Sequence, residues 1–114
     1  MNYKKLLVWQ KADQLAFQIY QITKKFPREE LFGLTAQLRR AAISVPTNIV
    51  EGTGRQGKGE TKQFVNIALG SFFETDYLLN LCKRLNFIQE DDYQQLIQLK
   101  QDVGSLLWLF YKSF

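Results

Sequence analysis

The sequence predicts an all-α fold, an antiparallel up-down-up-down four-helix bundle spanning residues 1–114 as one domain. Three observations predict it. Apolar residues recur at alternating spacings of three and four along four separate stretches, the pattern of helices that each bury one face. Only two prolines and seven glycines punctuate the chain, and no alternating, strand-like segment is left over. The links between the periodic stretches are short, and short links join antiparallel neighbours.

The first helix is expected from about Lys5 to Lys25, with Val8, Ala12, Leu15, Ile19, Ile22 and Phe26 on one face. Lys24 and Lys25 fall in its last turn, where cations suit the negative helix end, and Pro27 lies just beyond. Trp9 is expected to anchor a bundle end or an interface rather than to stack on bases. The second helix begins near Leu34-Thr35, with a seam of Leu34, Leu38, Ala41, Val45, Asn48/Ile49 and Gly52. Pro46 lacks an N–H and crowds the preceding turn, so the helix either breaks at Val45 or continues with a bend. Val45, Ile49 and Gly52 stay in phase past the proline, which favours a continuous second helix bent at Pro46.

The link GTGRQGKGE (52–60) contains the literal spacing GxGxxG, and it places Gly57-Lys58 before Gly59. A dinucleotide or phosphate loop needs a strand before it, and a P-loop needs a hydroxyl residue after the lysine. Neither condition is met, so the segment is expected to be a helix–helix turn. The third helix, about Gly59 to Leu85, carries Phe64, Ala68, Ser71, Thr75, Leu78, Cys82 and Leu85 in a heptad seam, small at its middle like that of helix two. Val65, Leu69, Phe72 and Leu79 form a second apolar row, with Phe73 and Tyr77 further round. That is more apolar surface than one small bundle covers, and the surplus predicts an oligomer interface. The fourth helix opens on Glu90, Asp91 and Asp92, where negative charge is favoured. It continues through Tyr93, Leu96, Lys100, Val103, Leu107, Phe110 and Phe114, widened by Leu106, Trp108 and Leu109.

Composition narrows the function classes. With 46% hydrophobic and 23% charged residues, the chain is long enough to bury about two-thirds of its unfolded surface without cross-links. The one cysteine, Cys82, allows no internal disulfide. The N-terminal stretch turns polar at Gln10 before any signal-like apolar run, and nothing approaches the ~20 apolar residues of a membrane span. A cytoplasmic protein without membrane contact is expected. There is no histidine, the commonest general base and metal ligand. Cys82 therefore belongs to the core. Glu51, Glu74 and Asp76 lack the Glu-x-x-His partners of a bundle di-metal site. No metal, no cofactor and no enzymatic activity are expected.

The basic residues are the functional lead. Residues 1–62 hold 11 Lys/Arg and 5 Asp/Glu, whereas residues 63–114 hold 4 and 6. Arg39, Arg40, Arg55, Lys58 and Lys62, with Lys4, Lys5 and Lys11, could neutralise the phosphates of RNA or DNA. Arg39 and Arg55 are sixteen residues apart, about 24 Å along a straight helix, so they do not share one compact pocket. The alternative is structural, with Arg39 or Arg40 paired to Glu51 or Glu74 at a helix or subunit contact and Glu51 to Arg55 at i, i+4. Pro46, Asn48, Glu51, Phe72 and Glu74 are the structural or interface candidates.

The runs RRAAISVPTNIVEGTGR (39–55), FVNIALGSFFET (64–75) and LLVWQKA (6–12) resemble a bacterial four-helix bundle family encoded in intervening sequences of the 23S ribosomal RNA gene. That group is related to the accessory variability protein of diversity-generating retroelements. The resemblance covers Leu6 to about Lys112, with Arg39, Arg40, Pro46, Asn48, Glu51, Gly52 and Arg55 matching the motif of the second helix. It implies a bundle assembled as a ring-like homopentamer with a central channel. From the retroelement relatives it implies a basic surface toward nucleic acid and a reverse transcriptase as a possible partner. The two functions expected are a non-enzymatic nucleic-acid-binding or adaptor protein and a structural module whose arginines serve interfaces.

Overall fold

The computed structural model describes residues 1–114 as four helices: α1 (Leu7–Thr23), α2 (Leu34–Thr53), α3 (Lys58–Arg84) and α4 (Glu90–Lys112). Single 3-10 turns, Tyr3–Lys5 and Arg28–Glu30, precede α1 and α2. Each helix packs on the two beside it, α1 on α2 and α4, α3 on α2 and α4, as an up-down-up-down bundle requires. The molecule measures 43 × 26 × 20 Å, one helix length by two helix diameters. No strand is present, and no helix is long and apolar enough to cross a membrane.

The predicted faces form the core. Ile19, Leu38, Val45, Ile49, Val65, Leu79, Leu96, Val103 and Leu107 are fully buried. α2 runs unbroken through Pro46, as the surviving periodicity predicted. The proline removes the donor for the Ala42 carbonyl, and side chains serve the carbonyls beside it. Thr47 Oγ1 donates to Ile43 O at 2.7 Å, and Asn48 Nδ2 donates to Ser44 O at 2.8 Å. The small middles of α2 and α3 meet, with the Ser44 and Ser71 hydroxyls 2.8 Å apart.

Two glycines sit where helices approach closely. A Cβ on Gly52 would lie 3.0 Å from Phe64 Cβ, and one on Gly104 would lie 2.9 Å from Phe72 Cζ. α3 ends in a Schellman turn. Asn86 takes φ 65°, Phe87 N donates to Cys82 O at 2.9 Å and Asn86 N to Lys83 O at 3.0 Å.

Several expectations need correction. The first helix starts at Leu7, after its own 3-10 turn. Leu85 leaves the α3 seam because it caps the helix and faces solvent. Trp108 and Leu109 lie on the solvent side of α4 instead of widening the core, and Leu99 takes the buried position. Lys100, the misfit of the fourth heptad face, is half-buried because it pairs with Asp76 across the α3–α4 contact.

Candidate nucleic-acid interface

In an up-down-up-down bundle, the start of α1, the α2–α3 turn and the end of α4 share one end. That end gathers Lys4, Lys5, Arg55, Lys58, Lys62 and Lys112 against only Glu51 and Glu60. The opposite end carries Lys24, Lys25, Arg28, Lys83 and Arg84 against Glu29, Glu30, Glu90, Asp91 and Asp92. Between them Lys11, Arg39, Arg40 and Lys100 balance Asp13, Glu74, Asp76 and Asp102. The entire formal excess of +4 therefore resides at one end.

Ion pairing sharpens that contrast. Away from the basic end, Lys25 meets Asp92 at 3.2 Å, Lys83 meets Glu90 at 2.8 Å and Lys11 meets Asp102 at 4.0 Å. Hydrogen bonds from Lys83 and Gln94 hold the Glu90 carboxyl below the usual carboxylate range. At the basic end the single ion pair is Arg55–Glu51, a 4.0 Å contact one helical turn apart.

Three of the six cations there rest on aromatic rings. The Arg55 guanidinium lies 4.6 Å from the Phe64 ring centre, Lys62 Nζ 4.8 Å from that of Tyr111 and Lys112 Nζ 5.8 Å from that of Trp108. Such contacts lay the side chain's stem along a ring while leaving its charge in solvent. Lys58 is exposed in the first turn of α3 and has no ion-pair partner. The turn beneath is fixed from α3, where Thr61 Oγ1 lies 2.9 Å from Gly52 O and 3.2 Å from Gly57 O, tying the end of α2 to the start of α3. Gly52 permits the approach, since any side chain would strike Phe64.

Arg39 and Arg40 lie away from this surface. Arg39 Nε donates to Thr23 Oγ1 at 2.7 Å and Nη2 to Tyr20 O at 3.4 Å, with the guanidinium 4.7 Å from the Tyr20 ring centre. Arg39 thus closes the C-terminal end of α1, where free carbonyls and the helix dipole favour a cation. The expected partners Glu51 and Glu74 are not its partners. Arg40 is exposed and unpaired beside a notch of about 330 Å³ lined by Gln37, Ser44, Ser71 and Glu74. Glu74 accepts only from Gln37 Nε2, at 3.4 Å. Of the other structural candidates, Pro46 is buried, Phe72 packs inside the bundle against Gly104, and Asn48 is engaged with Ser44.

Sequence reasoning missed Lys112, Trp108 and Tyr111 as members of the basic end. The signal was the topology itself, which returns the end of α4 to the α2–α3 turn. No three acidic or thiol side chains converge as a metal site would require. Burial pushes the Cys82 thiol up to about 11, with the charge of Glu30 adding to it, so Cys82 is no ready nucleophile.

Among curated proteins none matches the chain. A solved structure from Bacteroides thetaiotaomicron, a protein of unknown function from the S23 ribosomal protein family, superposes with a TM-score of 0.84. It is 27% identical, and the match covers 93% of this chain and 99% of that one. The family profile described as 23S rRNA-intervening sequence protein matches residues 4–108, which include the whole α2–α3 turn and α4 as far as Trp108. A bundle with these helices, this turn and this sequence match belongs to the 23S rRNA-intervening sequence protein family.

Proposed function

We propose that the protein is a non-enzymatic nucleic-acid-binding bundle whose basic end neutralises the phosphates of RNA or DNA. The observation that carries this is the confinement of the whole +4 excess to one end, while charges elsewhere balance. Arg55, Lys58 and Lys62 form the contact surface with Lys4, Lys5 and Lys112. Arg39 and Arg40 lie on the flanks, where Arg39 contributes through its contacts to the end of α1. Contact through phosphates is sequence-tolerant, and affinity falls steeply with salt as counterions are released.

Titrating structured RNA and duplex DNA at several salt concentrations tests the proposal. The slope of log K against log salt is expected to drop by about one for each of Arg55, Lys58 and Lys62 changed to Gln. Absence of binding at low salt by the folded protein would sink it.

Two exposed apolar surfaces favour a second role, as a self-assembling or partner-binding module. One is a groove of about 470 Å³ between α1 and α2, lined by Phe17, Tyr20, Ile43 and Pro46. The other is a short α3 ridge of Phe73 and Tyr77, one turn apart, of which Phe73 is 63% exposed. Phe17 stands about 15 Å and Phe73 about 22 Å along the helices from the basic end, at 1.5 Å per residue. Two unlike surfaces at similar height suit a heterologous, ring-forming contact. A rotation axis parallel to the bundle would gather all basic ends on one face.

A homopentamer of the kind the resemblance implies is the expected assembly, and a reverse transcriptase is the alternative occupant of the same surfaces. Native mass measurement tests assembly. Phe73→Asp is expected to yield monomers, and Arg40→Glu to weaken assembly. An unchanged oligomer with Phe73→Asp would remove the α3 ridge from the contact.

A further inference from the structure

Among the aromatic rings near the basic end, Trp108 is the one turned to solvent. It is 51% exposed, although burying its ring would favour folding. It stacks on Tyr111, with ring centres 5.7 Å apart and planes within 20°. Lys112 and Lys62 sit by the two rings, so the pair is bracketed by cations. Beside Tyr111 lies a notch of about 170 Å³ lined by Gly59, Lys62, Gln63 and Asn66. Gln63 and Asn66 are exposed in that notch, and each amide offers both a donor and an acceptor.

We propose that Trp108 and Tyr111 form a stacking platform for unpaired bases, so that the basic end takes single-stranded nucleic acid in preference to duplex. A duplex presents only phosphates and groove edges to a bundle end, and it needs no aromatic face. A single strand exposes the π-face of each base, and stacking on an aromatic side chain tolerates any sequence. Its backbone passes between Lys62 and Lys112, whose flexible stems carry their ammonium groups from ring to phosphate. The Gln63 and Asn66 amides face the edge of the base next to Tyr111. Lys58 extends the phosphate track toward the α2–α3 turn.

This rests on the nucleic-acid contact proposed above, and the experiment separates the two. In a Trp9→Phe chain, Trp108 is the sole tryptophan, and its emission is followed against a uridine or thymidine 15-mer and against a 15-base-pair duplex. Quenching by the single strands alone is expected. Trp108→Ala is expected to weaken single-strand binding about 5- to 150-fold, as for loss of one base stack. Duplex binding should be unchanged, and Trp108→Phe should recover most of the loss. Native mass and circular dichroism check that each variant folds and assembles as the parent does. If Trp108→Ala alters assembly, quenching in the unsubstituted Trp108 chain decides alone. Binding to both ligands that ignores Trp108, or equal loss for both, overturns the stacking platform and leaves phosphate contact standing. Binding to neither overturns both.

Discussion

Gly104 offers the sharpest test of the packing. In the interior of α4 an alanine would ordinarily stabilise the helix by about 1 kcal/mol over glycine. Here the new Cβ would stand 2.9 Å from Phe72 Cζ and 3.0 Å from Cε2, closer than carbon atoms approach at optimal contact. Phe72 cannot easily retreat, since it is 7% exposed and its ring meets that of Phe73 with centres 5.9 Å apart. Overpacking of this kind costs about 1–3 kcal/mol. Gly104→Ala is therefore expected to destabilise the protein by about 1 kcal/mol net, lowering Tm by about 4 °C for a domain of this size. In a Phe72→Leu background the clash is gone and the same substitution should stabilise by about 1 kcal/mol, a coupling of about 2 kcal/mol across the cycle. Urea titrations followed by circular dichroism at one fixed protein concentration give both numbers. An increase in stability from Gly104→Ala with Phe72 intact would show that the ring has room to move.

Arg39→Ala is expected to cost about 1–2 kcal/mol through loss of the Thr23 bond and the Tyr20 contact, with Arg39→Lys recovering only part, as urea titration would show. Asn86 holds φ 65°, so Asn86→Ala should cost about 1 kcal/mol while Asn86→Gly is neutral or stabilising by the same assay. The Cys82 thiol ionises at about 11 in the folded chain against an ordinary value of 9.0. The unfolded chain therefore loses its proton first, and this contribution to stability falls as pH rises from 9.0 toward 11. Cys82→Ala should flatten that part of the pH–stability curve, and a thiol-reactive disulfide should label Cys82 no faster than the protein unfolds. Lys58→Glu removes a cation from the positive end of α3 and should raise stability by about 0.3–1 kcal/mol while weakening nucleic-acid binding; a loss of stability would refute the dipole assignment.

The architecture was legible because one physical rule governs most of it. Periodicity located all four helices to within about two residues, the usual uncertainty of a helix end, and the phase of Val45, Ile49 and Gly52 carried α2 through Pro46. What periodicity could not show was which apolar residues point outward. Phe73, Tyr77 and Trp108 lie beside buried neighbours in the sequence but are turned to solvent, because a core four helices wide accepts only one stripe from each. The contest over Arg39 was likewise beyond sequence. Its partners, Thr23 and Tyr20, are sixteen and nineteen residues away on α1, and only the packing of α2 against α1 brings them together. The basic end was half legible: Arg55, Lys58 and Lys62 are neighbours in the chain, whereas Lys112 joins them by topology.

Helix stability does not account for where the cations stand. At the opposite end, Glu90, Asp91 and Asp92 sit at the start of α4, and Lys83 and Arg84 at the end of α3. Each sign there complements the helix dipole. At the basic end Lys112 and Arg55 obey the same rule, at the ends of α4 and α2, and Glu60 does so in the first turn of α3, but Lys58 opens α3 and Lys4 and Lys5 stand just before α1. Those three face the positive poles of their helices, and each position is unfavourable by about 0.3–1 kcal/mol. The dipoles of α1 and α3 add positive potential to that surface, and those of α2 and α4 subtract a similar amount. The net field at that end therefore comes from the side chains. A bundle arranged for stability alone would place acids at those positions, as this one does at the start of α4. Cations held against the dipole at one end only, in a chain whose other charges balance, are what an anionic ligand bound at that end would explain.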